Sequence, residues 1–304
     1  MKISILLLLL STDLIARDLP TPTCIEPNVK FWKQILTSYD ENDLILHNER
    51  TFEIYKVVKL DPLNKIERKK TYTQSIKDLE DVLNSEDLDN LRAQIGISSR
   101  FNQGLIRSKK YLPYIRKIFK QEGIPDDIVF LPHVESSFNP KAGSRVGAKG
   151  LWQIMPSTAR MYGTKNTSKL YDPQYATRLA AKILKDNYQT LGSWDLAINA
   201  YNSGIGNLSR AIQATSSRDI CVILEKYEGR TFKFASRNYL SQFYAALDIV
   251  EEHEGKEETL VGQEQEETEE KEAINTVVEK VKKQHKNKIK HKVKHKKHKH
   301  KHKK

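Results

Sequence analysis

Cysteine is scarce in these 304 residues: Cys24 and Cys221 are the only two. At most one long-range disulfide can form, and only in an oxidising compartment. No motif surrounds either thiol, so neither is assigned chemistry, and a paired and a free state both stay open. Long apolar runs are also missing. Met1-Lys2 followed by Ile3 to Leu10, interrupted only by Ser4, is too short to cross a hydrocarbon layer of ~30 Å as a helix. Residues 1–16 therefore read as an export signal. Leu14-Ile15-Ala16 lacks a small residue at its first position and Asp13 is unfavourable there, so cleavage after Ala16 and retention as an anchor both stay open. Thr21-Pro22-Thr23-Cys24 does not make a lipoprotein box. Between Pro20 and Ile97 there is neither a glycine-rich phosphate loop nor a metal-ligand cluster.

The formal charge of +12 is unevenly placed. Residues 280–304 hold 14 lysines, residues 251–279 hold 12 glutamates against two lysines, and the first 250 residues keep +8. The basic run has no interleaved aromatic residues and follows an export signal, which argues against nucleic acid as partner. It does hold six of the nine histidines, His285, His291, His295, His298, His300 and His302. Imidazoles bind transition metals, but this alternation specifies no geometry, so no metal site is assigned there and no cofactor is expected. A polycation of this kind can contact an anionic wall or membrane surface electrostatically.

Helical periodicity appears at Val29 to Tyr39 and at Ser75 to Leu91, whereas Thr51 to Leu60 alternates weakly and fits strand or helix. Residues 17–106 are expected to be a mostly helical extension packed on the domain after it. From residue 107 to 252 nearly every segment is a short helix or tight turn. Gly123 and Pro125 stop the helix over Lys109 to Gln121, Pro156 opens another, Asp172-Pro173 caps the one over Gln174 to Leu191, and Ser193 caps the next. A compact all-α domain follows. Residues 253–283 are too polar for a core and read as an acidic linker, and 284–304 as a disordered Lys/His-rich tail.

The domain is organised around Leu131 to Ser157. An apolar run from Ile128 to Val134 delivers one carboxylate, Glu135, where turn-forming residues begin. Gly143, Gly147 and Gly150 then permit tight turns, and Leu151-Trp152-Gln153-Ile154-Met155 adds apolar and amide groups of the kind that suit a sugar. Glu135-Ser136, Ser144 to Pro156 (SRVGAKGLWQIMP) and Asn199 to Gly206 (NAYNSGIG) are similar, in order and spacing, to the three main motifs of the soluble-lytic-transglycosylase (SLT) family. With the N-terminal extension, the whole resembles its membrane-bound lytic murein transglycosylase D subgroup.

That resemblance implies a lysozyme-like helical fold and an exported, periplasmic or envelope-located enzyme. Its reaction would be cleavage of the MurNAc-(β-1,4)-GlcNAc bond of peptidoglycan with 1,6-anhydro ends. It implies Glu135 as the acid and base, and Ser144, Gln153, Met155, Tyr201, Asn202 and Tyr239 as substrate-binding positions. The fourth motif of the family usually reads Glu-Thr-Arg-x-Tyr; here it is Ala235-Ser236-Arg237-Asn238-Tyr239, so one carboxylate is missing. No second acid stands in any motif, as an ordinary two-carboxylate glycosidase would need. Asp172 and Asp195 sit at helix starts, where capping explains them. His133 reads as a packed histidine. Trp32, Trp152 and Trp194 could each stack on a sugar; only Trp152 lies in a motif, and the other two read as core. Two other readings stay open: a goose-lysozyme-like hydrolase, and an inactive wall-binding or metal-binding protein.

Overall fold

The computed structural model describes residues 17–255. One compact unit extends to Ile249, and a second begins at Val250, of which residues 250–255 are helical. The expected export signal, most of the expected linker and the Lys/His run lie outside the described residues.

The extension opens with helix α1 (Glu26–Thr37), started by Pro27 and buried along Val29, Phe31, Trp32, Ile35 and Leu36. It then departs from the helical expectation. Strands β1 (Asp43–Asn48), β2 (Ile54–Lys59) and β3 (Leu91–Ile95) form an antiparallel sheet in the order β2-β1-β3. Leu44-Ile45-Leu46 is a continuous apolar run buried at every position, and as the central strand of the sheet it is covered on both faces. Leu44 and Leu46 pack with Leu60 and Leu79 on one face. On the other side the His47 ring packs at a tilt against Phe31 of α1, ring centroids 4.5 Å apart. The undecided Thr51 to Leu60 segment is thus the edge strand β2.

Helix α2 (Lys65–Glu80) begins ten residues before the expected Ser75, because the Asn64 side chain accepts from the N–H groups of Ile66 and Glu67. It stops at Glu80, and a short helix α3 (Ser85–Asp89), capped by Asn84, returns the chain to β3. Helix α4 (Ser98–Glu122) starts nine residues ahead of Arg107, so extension and domain share one helix. Gly123 ends it in the left-handed conformation.

The rest is helical as expected: a 3-10 turn at Asp126–Phe130, then α5 (Pro132–Ser136), α6 (Pro156–Met161) and α7 (Pro173–Leu191). After them come α8 (Trp194–Ser203), α9 (Ile205–Thr215), α10 (Ile220–Lys226) and α11, residues 234–249. Asp172 caps α7 and Ser193 caps α8, each accepting backbone N–H groups. Helix α7 packs against α4 and α8.

The extension is joined to the domain at several points. Cys24 and Cys221 form a disulfide that ties the start of α1 to α10. Trp32 is buried and donates from Nε1 to Asn238 Oδ1 at 3.3 Å, on α11. The Arg92 guanidinium lies 3.8 Å from the centroid of the Phe234 ring. The Leu19 N–H donates to Asp127 at 2.7 Å. Closing a loop with a sequence separation of 197 residues removes much of the unfolded chain's freedom. Cys221→Ser is therefore expected to lower stability by roughly 2–5 kcal/mol, seen as a lower guanidinium midpoint, with wild type falling to the same midpoint in reductant.

Candidate active site

Glu135 sits in the last turn of α5, and what stops that helix also holds the acid. Ser137 and Phe138 both take left-handed backbone, φ 49° and 56°, a conformation non-glycine residues adopt rarely. Four features over-determine it. The N–H groups of Ser137 and Phe138 bond back to the carbonyls of His133 and Pro132. Arg107 on α4 donates from Nε and Nη2 to the Ser137 carbonyl at 3.0 and 2.7 Å. The Phe138 ring is fully buried, 4.6 Å from that of His133. Gly104 lets α4 come close; a Cβ there would lie 3.1 Å from Ser137 Cβ.

His133 is a packed ring, as expected. It lies between Phe101 and Phe138, and its two nitrogens find no partner among the described residues. Burial, helped by Arg107, pushes its pKa down to about 3, so it is neutral and inert as a base.

The loop from Ala142 to Met155 folds beside this turn through paired backbone bonds, Lys149 with Ile154 in both directions and Gly150 N–H to the Ala142 carbonyl. Gly150 has φ 74°, and a Cβ there would fall 1.9 Å from the Leu170 carbonyl oxygen, so no side chain fits. The Ser136 hydroxyl donates to the Leu151 carbonyl at 2.7 Å and joins loop to acid turn. Trp152 is fully buried, stacked on Phe119 and donating from Nε1 to Thr177 at 2.9 Å. This corrects its reading as a sugar-stacking residue: the ring anchors the loop to α4 and α7 and offers no face to a ligand. Trp194 stacks on Tyr188 instead, with centroids 4.2 Å apart.

Two tyrosines converge from other helices. Tyr239 on α11 is buried and donates its hydroxyl to Glu135 Oε1. Tyr201 on α8 donates to the Trp152 carbonyl at 2.8 Å, and the carboxylate of Glu135 acts on its pKa. Burial holds both phenols well above their ordinary range, so they stay neutral donors. Burial likewise raises the Glu135 carboxyl to about 7, the Tyr239 bond opposing it only in part. By surface area Glu135 is half-buried, so solvent and ligand reach it while most of its surroundings are protein.

The other positions expected to bind substrate are placed differently from one another. Ser144 is exposed and its hydroxyl accepts from Ala148 N–H at 2.9 Å, closing its own loop. Gln153 is half-buried with a left-handed backbone (φ 44°), and its amide donates to the Gly150 and Ala142 carbonyls. Met155 is half-buried at the start of α6. Asn202 is exposed, 3.5 Å from the Ser236 hydroxyl. Asp195 is not the cap expected of it, since Ser193 caps α8: it lies in the first turn, accepts from Tyr244 at 2.7 Å, and burial raises its pKa. Tyr244 is five residues past Tyr239, about 140° around the helix, so this carboxylate belongs to another side of α11.

With this geometry in place, residues 113–223 match the family model of the transglycosylase SLT domain. Among curated proteins, membrane-bound lytic murein transglycosylase D of Escherichia coli K12 is 38% identical over 118 residues, 37% of this chain and 26% of that protein. Membrane-bound lytic murein transglycosylase C of Haemophilus ducreyi is 35% identical over 126 residues, 36% of this chain and 34% of its own length. The similarity to SLT domains thus falls on the helical part of the chain that carries Glu135 and Tyr201. The chain spans only about a quarter to a third of the curated relatives named here. The 70 kDa soluble lytic transglycosylase of Escherichia coli, a solved structure, aligns with TM-score 0.40 at 18% identity, over 65% of this chain and 38% of that one.

Two residues that hold Glu135 in place were not singled out from sequence. Ser136 stood inside a motif without a role, and Arg107 lies outside all motifs on a face of α4 that reads as ordinary surface. The raised carboxyl has a measurable consequence. Its folded pKa of about 7 exceeds the ordinary 4.5, so its contribution is complete below pH 4.5 and is lost as pH rises through 7. That loss is at most about 3 kcal/mol. Glu135→Gln, which leaves no charge to bury, should melt above wild type at pH 8 and level with it at pH 4.5 in calorimetric scans.

Proposed function

We propose that this chain is a peptidoglycan lytic transglycosylase of the cell envelope, with Glu135 as sole acid and base and the SLT domain folded as a lysozyme-like helical unit. The observation that carries this reading is the carboxyl itself, whose pKa burial raises to about 7 so that a large share of its acid form survives at neutral pH, and which Tyr239 hydrogen-bonds. No other carboxylate among the described residues contributes to its pKa, which speaks against a two-carboxylate mechanism.

In the proposed reaction Glu135 gives its proton to the bridging oxygen as the bond from the MurNAc anomeric carbon breaks. The neighbouring N-acetyl oxygen closes on that carbon and holds its positive charge. The sugar's 6-hydroxyl then displaces it, forming the 1,6-anhydro ring, and its proton returns to the Glu135 carboxylate. Protons balance without water. Tyr239 would favour the ionised form between the two transfers, and the half-buried Gln153 and Met155, with Ser144, Tyr201 and Asn202, would line the sugar-binding face.

Digestion of purified sacculi by the full chain should release muropeptides lighter by one water than the hydrolysis products; reducing ends would instead indicate a hydrolase. Glu135→Gln should lower the rate by on the order of 10²–10⁴-fold, and undiminished clearing would refute the assignment. For wild type, kcat/KM should be flat at acid pH and fall above a midpoint near 7, as the acid form is lost. Because the Tyr239 bond lowers the Glu135 pKa, Tyr239→Phe should move that midpoint to higher pH while reducing the plateau.

A further inference from the structure

The corner where β2 turns into α2 lies outside the SLT domain and has an unusual surface. Leu63 is 92% exposed and Ile66 is 68% exposed. Large apolar side chains clustered in the open mark a contact surface more often than a free one. Around them the charge is one-sided: from Lys56 to Thr73 six cations stand against two acids, Asp61 and Glu67. Arg68 is turned inward and donates to the Glu41 carbonyl at 2.9 Å. Lys56, Lys59 and Lys70 are paired with Asp78, Asp43 and Glu67. Lys65 and Lys69 have no ion-pair partner among the described residues, and they flank Ile66 on the first turns of α2. A cavity of about 910 Å³ opens between β2 and α2, with Val58, Ile66, Lys69 and Thr73 in its lining.

We propose that this corner docks on the surface of an anionic phospholipid bilayer, Leu63 and Ile66 entering the headgroup boundary and Lys65 and Lys69 lying over the phosphates. Charge complementarity and apolar exposure select this occupant together. A soluble polyanion would satisfy the lysines and leave Leu63 in water, whereas a bilayer interface accepts cations at headgroup level and apolar side chains just below it. The contact is peripheral, since no helix among the described residues is long and apolar enough to cross a membrane. It is independent of the Glu135 chemistry and would fix the extension at the lipid while the SLT domain works on its own substrate.

The full chain also carries the Lys/His run, so simple co-sedimentation with vesicles does not isolate this corner. Both native cysteines are paired, so Leu63→Cys introduces a unique thiol for an environment-sensitive fluorophore, and Met161→Cys, at a residue 85% exposed within the SLT domain, serves as control. With phosphatidylglycerol/phosphatidylethanolamine vesicles, the label at 63 should shift to the blue and the label at 161 should not. Pure phosphatidylcholine should leave both unchanged. Lys65→Glu with Lys69→Glu should raise the lipid concentration for half-maximal shift at least ~10-fold, each basic residue near such a surface being worth about 5-fold. Vesicle binding with no shift at 63, an equal shift at 161, or an equal shift at 63 on adding sacculi without lipid would each overturn the proposal.

Discussion

The architecture depends on keeping one carboxyl group buried, with Tyr239 as its neutral donor among the described residues. Water would hold Glu135 near its ordinary 4.5, and a lysine or arginine against it would push it lower. Instead Tyr239 gives it one hydrogen bond, and burial outweighs that bond. The arrangement destabilises the ionised form of the protein, so the surrounding turn must be rigid enough that the acid does not swing out to solvent. The paired left-handed residues Ser137 and Phe138, the Arg107 bonds and the Ser136 bond to the Leu151 carbonyl meet that requirement. Strained backbone at this point is stable because the packing on all sides fixes it.

The same constraint explains why the N-terminal extension matters to a site it does not enter. Tyr239 reaches Glu135 from α11, and the register of α11 is set partly from the extension. Trp32 bonds Asn238, the residue before Tyr239, and Arg92 covers Phe234 one turn earlier. The disulfide fixes the start of α1 to α10. Loosening the extension is therefore expected to act on the Tyr239 bond and, through it, on the proton affinity of Glu135.

Much of this was legible in the sequence where local chemistry decides structure. Asp172-Pro173, Ser193 and Gly123 punctuate the helices as their cap and turn preferences require, and Glu135 was singled out because a lone Glu ended an apolar run inside ordered motifs. The sheet was not legible. Its central strand is a continuous apolar run without alternation, which periodicity alone does not separate from a buried helix, and its partners lie far along the chain. Trp152 was misread for a related reason: a motif says that an aromatic ring is needed, not which way it faces. Arg107 gave no signal, because its role exists only once α4 and the acid turn are brought together.

The departure at Ala235 fits a division of labour along α11. Arg237, the third residue of that motif, donates to the carbonyls of Leu224 and Tyr227 at 2.6 Å each and pairs with Glu228. It thereby pins the segment after α10. Tyr239, two residues on and about 200° around the helix, faces Glu135. Residue 235 does neither: Ala235 is exposed, beside the Ser236 that contacts Asn202. Losing a carboxylate there removes charge from the surface next to the site without disturbing the helix register or the bond to the acid. At Glu135 itself, burial and the Tyr239 bond remain the two opposing influences on proton affinity.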